Sequence, residues 1–129
     1  MATPTEYLDD VLNIDGALGA AVVDYDSGIT LGSKGGASVD MELAGAGTTQ
    51  FVQSTRAVLH ENNVDEPIED LLVTLNDQYH LTRFSTSHSS LFTYVILSRA
   101  EANLALARRQ LASLEADLQV DADMDGDIL

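Results

Sequence analysis

The three histidines, His60, His80 and His88, are the first candidates for chemistry, because histidine is both a general base and a common metal ligand. Helical metal sites often place two histidines four residues apart, and zinc signatures flank histidine with acids, but neither pattern occurs here. The chain also has no cysteine, which excludes disulfides, thiolate nucleophiles and cysteine-bound zinc. We therefore predict no metal site and no cofactor.

Serine residues around His88 suggest a second kind of chemistry, nucleophilic catalysis by a hydroxyl that the imidazole activates. These serines are Ser85, Ser87, Ser89 and Ser90. A serine hydrolase of the nucleophile-elbow type needs its serine on a tight strand–turn–helix turn, and the sequence shows no such turn. We interpret the segment as a polar loop between two strands and predict that the protein is not an enzyme.

Two further segments resemble ligand loops. Residues 32–36 hold three glycines and Lys34, but a phosphate-binding loop needs its lysine directly before a serine or threonine that opens a helix, so we predict a plain connection. Asp121, Asp123, Asp125 and Asp127 alternate as in a calcium loop, yet the bidentate glutamate of that loop is missing. We predict one domain at residues 1–118, followed by a disordered acidic tail at residues 119–129.

The stretch from Leu43 to His60 contains no acid, although the chain has 21 acidic and 6 basic residues. Its apolar spacing predicts a helix. We expect one face to pack on the core, namely Met41, Ala44, Thr48, Phe51, Val52, Thr55, Val58 and Leu59. The opposite face is neutral and mostly small, namely Ala46, Thr49, Gln50, Gln53, Ala57 and His60. We expect a partner to cover that neutral face; the alternative is an exposed helix that is simply low in charge.

The elements that position these residues follow from local patterns. A capped first helix ends near Asn13, and the small and branched residues 17–24 predict a strand buried on both faces. Further strands are predicted at residues 29–32, 69–75, 79–85 and 91–98. The long helix is predicted to follow a cap at Ser38 or Asp40 and to end at Glu61, and a final helical stripe runs from residue 100 to 118. The fold class is α+β, with order α-β-β-α-β-β-β-α and helices on both sides of a five-stranded antiparallel sheet.

Charge and hydropathy restrict the partners. A net charge of −15 repels nucleic acid backbones and anionic lipid, so we expect neither as a ligand. The apolar runs are much shorter than the roughly 18 residues that span a bilayer, and the N-terminus lacks the basic flank of a signal peptide. We predict no membrane insertion and a cytoplasmic location.

The segment from Ile14 to Gly28, with its small-residue strand, aspartate, turn and glycine, resembles the roadblock family of dynein light chains and their bacterial relatives. The order of the following elements extends the resemblance to residues 5–118. It implies a homodimer in which the second helices pack together and the third strands pair across the two-fold axis, while the first and last helices cover one side of the sheet.

The resemblance also implies site residues and a partner. The dimer contacts would be Ala44, Gly45, Gly47 and Thr48 on the second helix and Leu71 and Val73 on the third strand; close approach of a second backbone would offset the roughly 1 kcal/mol that each helical glycine costs. Bacterial relatives bind small Ras-like GTPases. We expect such a GTPase to contact Gln50, Gln53 and Arg56, without an arginine finger. The alternative function is a small-molecule sensory domain, which should enclose a polar-lined cavity.

Overall fold

The computed structural model describes residues 2–120 and has the predicted order of elements. The helices are α1 (Pro4–Leu12), α2 (Met41–Glu61) and α3 (Leu104–Glu115), and the strands are β1 (Ala17–Asp24), β2 (Ile29–Gly35), β3 (Asp70–Thr74), β4 (Gln78–Phe84) and β5 (Leu91–Ser98). The fold class is confirmed: one five-stranded antiparallel sheet with helices on both faces.

The sheet order is β2-β1-β5-β4-β3, so β1 and β5 are interior and β2 and β3 are the edges. The hairpin from β1 to β2 turns where the sequence predicts it. Asp24 accepts a hydrogen bond from the Asp26 amide at 2.9 Å, and Gly28 has a φ of 76°, which glycine adopts without strain. The long link from β2 to β3 runs through α2, which lets β5 insert beside β1.

The helices divide between the two faces of the sheet. Helices α1 and α3 cover one face, where Tyr7, Leu8 and Val11 of α1 and Leu111 of α3 pack on Val22 and Leu81 in the larger core. Helix α2 covers the other face, in a second core that includes Ala21, Val23, Val52, Phe92 and Ile96. Burial of these apolar side chains on both faces explains why β1 and β5 have almost no polar residues.

Helix caps follow the sequence closely. The Thr3 hydroxyl and the Glu6 carboxylate exchange hydrogen bonds with backbone amides in a capping box, and Asp40 caps α2 through the Leu43 amide at 3.1 Å. The boundaries of the elements differ more from the prediction than the caps do. Strand β2 continues to Gly35 instead of ending at residue 32, and α3 begins at Leu104 because Asn103 caps it. No helix within residues 2–120 is long and apolar enough to cross a membrane.

The predicted orientation of α2 is partly wrong: Met41 and Val52 are buried as predicted, but the rest of the buried face differs. The residues that α2 buries are Met41, Gly45, Thr49 and Val52, whereas Phe51 and Val58, assigned to the core, are exposed. The helix is therefore rotated by about one residue from the predicted face. The reason is close packing: at Gly45 α2 lies so near β1 that an added Cβ would be 3.0 Å from the Ala21 Cβ and the Val23 Cγ2.

Candidate protein-binding surface

Helix α2 presents an apolar stripe to solvent, which sequence reasoning missed. Leu43, Phe51 and Val58 are 70%, 42% and 56% exposed, and Gly47 lies between the first two on the same side. Three large exposed hydrophobic residues at helical spacing are unusual for a helix that already packs on a sheet. The sequence could have predicted this stripe from Gly45 and Thr49, because small residues four positions apart mark the side of a helix that packs closely on a neighbour.

The glycines of α2 have different environments. A Cβ on Gly45 would lie 3.0 Å from both the Ala21 Cβ and the Val23 Cγ2 of β1, whereas a Cβ on Gly47 would meet nothing within 4 Å. Gly45 therefore makes its close approach to its own sheet. Gly45, predicted as a dimer contact, is thus buried within the protomer, whereas Gly47 is exposed; the dimer contacts themselves stay a prediction. Ala44 and Thr48 are half-buried.

The edge strand β3 contributes the second part of this surface. Its backbone pairs only with β4, so its outer ladder of amides and carbonyls is free within the described residues. Leu71 packs on the α2-side core and is half-buried, and Val73, two residues on, lies on the same face with 39% of its surface exposed. An unpaired edge with exposed apolar side chains is suited to pairing with another strand.

The predicted partner-binding residues Gln50, Gln53 and Arg56 are all exposed on α2. Gln53 donates a hydrogen bond to the Tyr25 carbonyl at 3.3 Å, and the Arg56 guanidinium lies 5.0 Å from the centre of the Tyr25 ring. The Tyr25 hydroxyl in turn donates to the Ser89 carbonyl at 2.6 Å. The contacts bring together α2, the β1–β2 turn and the β4–β5 loop, and they orient Arg56 by a cation–π interaction.

Hydrogen bonds to residues 115 and 118 hold the loop around His88. The Ser85 hydroxyl donates to the buried Glu115 carboxylate, and the His88 imidazole contacts the Leu118 carbonyl through Nε2 at 3.0 Å. The His88 imidazole and the Ser85 hydroxyl therefore have separate hydrogen-bond partners. Within residues 2–120 no three acidic or histidine side chains are grouped for a metal ion.

Histidine 80 lies on the α2 side of β4, in a hydrogen-bonded pair with the tyrosine beside it. Its Nδ1 is 2.6 Å from the Tyr94 hydroxyl and its Nε2 is 2.9 Å from Gln78 Oε1. Gln78 Oε1 can only accept, so Nε2 carries the proton and Nδ1 accepts from Tyr94. Burial lowers the pKa of His80 and raises the pKa of Tyr94, which favours the neutral form of each group. Burial also raises the pKa of Tyr7 to about 12 in the core beneath α1.

Comparison with solved structures identifies the class of fold. A roadblock/LC7 domain from Streptomyces avermitilis superposes with a TM-score of 0.73 at 14% identity, covering 85% of this chain and 89% of that one. Myxococcus xanthus MglB gives 0.68 at 15% identity, covering 85% and 83%, and the gliding protein MglB from Thermus thermophilus gives 0.66 at 14% identity, covering 88% and 89%. The chain therefore has the roadblock fold, as the sequence predicts.

Comparison by sequence gives a different result from comparison by structure. No protein-family profile matches it, and no curated protein matches it. The likeness is thus one of three-dimensional structure.

Proposed function

We propose that this protein is a non-enzymatic, homodimeric adaptor that binds a small Ras-like GTPase in the cytoplasm. The observation that supports the dimer most strongly is the apolar stripe of Leu43, Phe51 and Val58 on α2, which no other residue between positions 2 and 120 covers. It lies on the same side of the sheet as Leu71 and Val73 of the unpaired β3 edge. A second copy would cover both features at once, by helix packing and by strand pairing.

The GTPase partner is supported by the shared fold. Two of the similar structures are MglB proteins, one described as a gliding protein, and the roadblock resemblance of the sequence implies GTPase partners for bacterial relatives. Gln50, Gln53 and Arg56 offer an exposed, acid-free contact surface on α2. Arg56 rests on Tyr25, so any effect on GTP hydrolysis would come from repositioning the GTPase's own residues.

Light scattering tests the dimer. Phe51→Glu and Gly47→Arg should both give monomers at micromolar concentration, because each places a charge on the contact between two α2 helices. Gln110→Glu, on the exposed side of α3, is the control with the same added charge as Phe51→Glu and should stay dimeric. A monomeric wild-type protein, or dimers in both α2 variants, would overturn the proposal.

A calorimetric titration with a candidate GTPase tests the second part. Gln53→Glu and Arg56→Glu should weaken binding about tenfold or more if this surface forms the contact, since each introduces a carboxylate where none is present. Unchanged affinity for both variants would remove the surface from consideration.

The alternative function, a small-molecule sensory domain, has one observation in its favour. A groove of about 730 Å³ lies beside α2, large enough for a ligand, but it is open to solvent, whereas small-molecule sites bury most of their ligand. A second cavity has a volume of about 30 Å³, which suits a single water molecule. We rank this function second.

A further inference from the structure

The groove beside α2 lies between the C-terminal half of that helix and the chain that leads to β3. The helix contributes Arg56, Ala57, Leu59 and His60, and residues 64–68 form the opposite wall. Tyr25, Phe84, Ser85 and Ser89 complete the lining. Three features of this groove point to the same kind of occupant.

Arg56 is a cation without an ionic partner in the described residues. Lys34 pairs with Asp9, and both Arg83 and Arg108 pair with Asp70 at 2.9 Å, so three of the six basic residues form ion pairs within the described residues. Arg56 instead lies over the Tyr25 ring, at the border of the groove, with His60 one helical turn further on. A guanidinium held in this way favours a carboxylate.

The wall at residues 64–68 offers free backbone groups. Val64 donates its amide to the Leu59 carbonyl at 2.9 Å and closes the end of α2. From Asp65 to Ile68 the chain is neither helix nor strand, and within the described residues it makes no hydrogen bond to other main-chain groups. A backbone of this kind can pair with a second extended chain, as in strand-addition complexes.

The base of the groove is aromatic. The Phe84 ring lies edge-on to Tyr25, with centroids 5.7 Å apart, and to Phe92, at 6.2 Å. Phe84 itself is only half-buried, so part of this cluster faces the groove. It provides a contact for an apolar side chain next to the carboxylate.

From these features we propose that the groove binds an extended polypeptide segment of a partner protein, with one carboxylate on Arg56, a neighbouring apolar side chain on Phe84 and main-chain hydrogen bonds to residues 65–68. Asp65 and Glu66 on the same wall would repel a strongly acidic segment, so a single acid with neutral or basic neighbours fits best. The proposal rests on the proposed function in one respect: Arg56 belongs both to this groove and to the proposed GTPase-binding surface.

The test uses the full-length protein and a phage-displayed library of random peptides. The most enriched peptide is synthesised twice, once with its acid and once with the matching amide, and affinities are measured by fluorescence polarisation. We expect the acid form to bind about tenfold or more tightly to the wild-type protein, a preference that Arg56→Gln reduces below about threefold. Arg109→Gln removes the same charge from the exposed side of α3 and should keep the wild-type preference.

Amide NMR signals provide the second measurement. The peptide should shift the signals of Asp65, Glu66 and Ile68, since their main-chain groups would form the new hydrogen bonds. Failure to enrich any peptide, equal binding of the acid and amide forms, or shifts confined to other surfaces would each overturn the proposal.

Two other occupants would be recognised by the same experiment. Peptide binding that requires removal of residues 121–129 would identify the chain's own acidic segment as the occupant, and saturable binding of phenyl phosphate at Arg56 without any selected peptide would identify a small-molecule site. Either result overturns the assignment to a partner protein. If the peptide result holds while no GTPase binds, the proposed function fails and the groove assignment stands.

Discussion

At the scale of single residues, Gly45 and Gly47 show how two nearby glycines serve different purposes. Gly45 allows α2 to approach β1, where an added Cβ would lie 3.0 Å from two side-chain carbons. Gly47 has open space around it. Glycine inside a helix costs about 1 kcal/mol relative to alanine; packing against β1 accounts for Gly45, whereas no contact within residues 2–120 accounts for Gly47.

This difference predicts opposite effects of the same substitution. Gly45→Leu should lower the free energy of unfolding by about 1–3 kcal/mol because α2 must move away from the sheet. In the Phe51→Glu background, where the protein is expected to be monomeric, Gly47→Leu should leave it unchanged or raise it by up to about 1 kcal/mol, since leucine favours the helix and meets no neighbour within residues 2–120. Urea denaturation of both variants measures the two values, and equal losses would contradict the observed rotation of α2.

Histidine 80 makes stability depend on pH. Burial lowers its pKa in the folded state, so the unfolded chain binds the proton more readily, and stability is lost as the pH falls from the unfolded pKa of about 6.5 through the folded value. Above that window the neutral ring keeps its hydrogen bonds to Tyr94 and Gln78.

Thermal melts at about pH 7.5 and pH 5.5 test this effect. The wild-type melting temperature should fall more between these pH values than that of His80→Gln, because glutamine retains polar contacts without titrating. His60→Gln, at an exposed position of α2, should show the wild-type decrease. An identical decrease in all three proteins would show that other groups cause the loss.

At the scale of elements, α3 holds the β4–β5 loop through one carboxylate. Glu115 is only 8% exposed and accepts hydrogen bonds from the Ser85 hydroxyl, the Thr86 hydroxyl and the Ser87 amide. The Ser85 hydroxyl also accepts from the His88 amide at 2.8 Å. The serine-rich segment that could suggest catalysis is therefore a loop fixed to the end of a helix.

Removal of this carboxylate should loosen the loop. Glu115→Ala leaves several polar groups without a partner and should lower the free energy of unfolding by about 2–3 kcal/mol. Gln110→Ala on the exposed side of α3 should change it by less than about 0.5 kcal/mol. Similar values for the two variants in urea would show that water replaces the Glu115 contacts without loss.

At the scale of the whole molecule, the two ends of the described chain are in contact. Ala2 forms a parallel bridge with Leu118, and the Gln119 amide donates to the Ala2 carbonyl at 2.7 Å. Leu118 is buried in the larger core, and its carbonyl contacts His88. These contacts include Gln119, which lies just past the predicted boundary at residue 118; residues 121–129 lie outside the described part, so the predicted acidic tail stays a prediction.

Two truncations separate the domain from the acidic segment. A chain that ends at Val120 should keep its melting temperature and oligomeric state with or without millimolar calcium, because it retains every contact described above. A chain that ends at Ala116 loses the Leu118 side chain and the Ala2 bridge, and should melt at least about 5 °C lower. A lower melting temperature for the chain that ends at Val120, or a calcium-dependent rise in melting temperature only in the full chain, would assign the acidic segment a structural role.

The sequence by itself determines most of the fold. Strands β1 and β5 lie at the residues predicted for them, since runs of small and branched residues between polar turns are a local signal. Thr3 and Asp40 begin their helices for an equally local reason, the need of free amides for a nearby oxygen. The roadblock resemblance follows from this order of elements, and the structure comparison confirms it.

Only the tertiary structure decided the rotation of α2 and the groove beside it. Alanine, glycine and threonine give a helix little contrast between its faces, so periodicity could not tell that Gly45 packs on β1 while Phe51 faces solvent. The groove depends on Arg56, Tyr25 and Phe84, which are distant in sequence and meet only when α2 crosses the sheet. Local propensity fixes the elements, but close packing between them decides which side chains remain available for a partner.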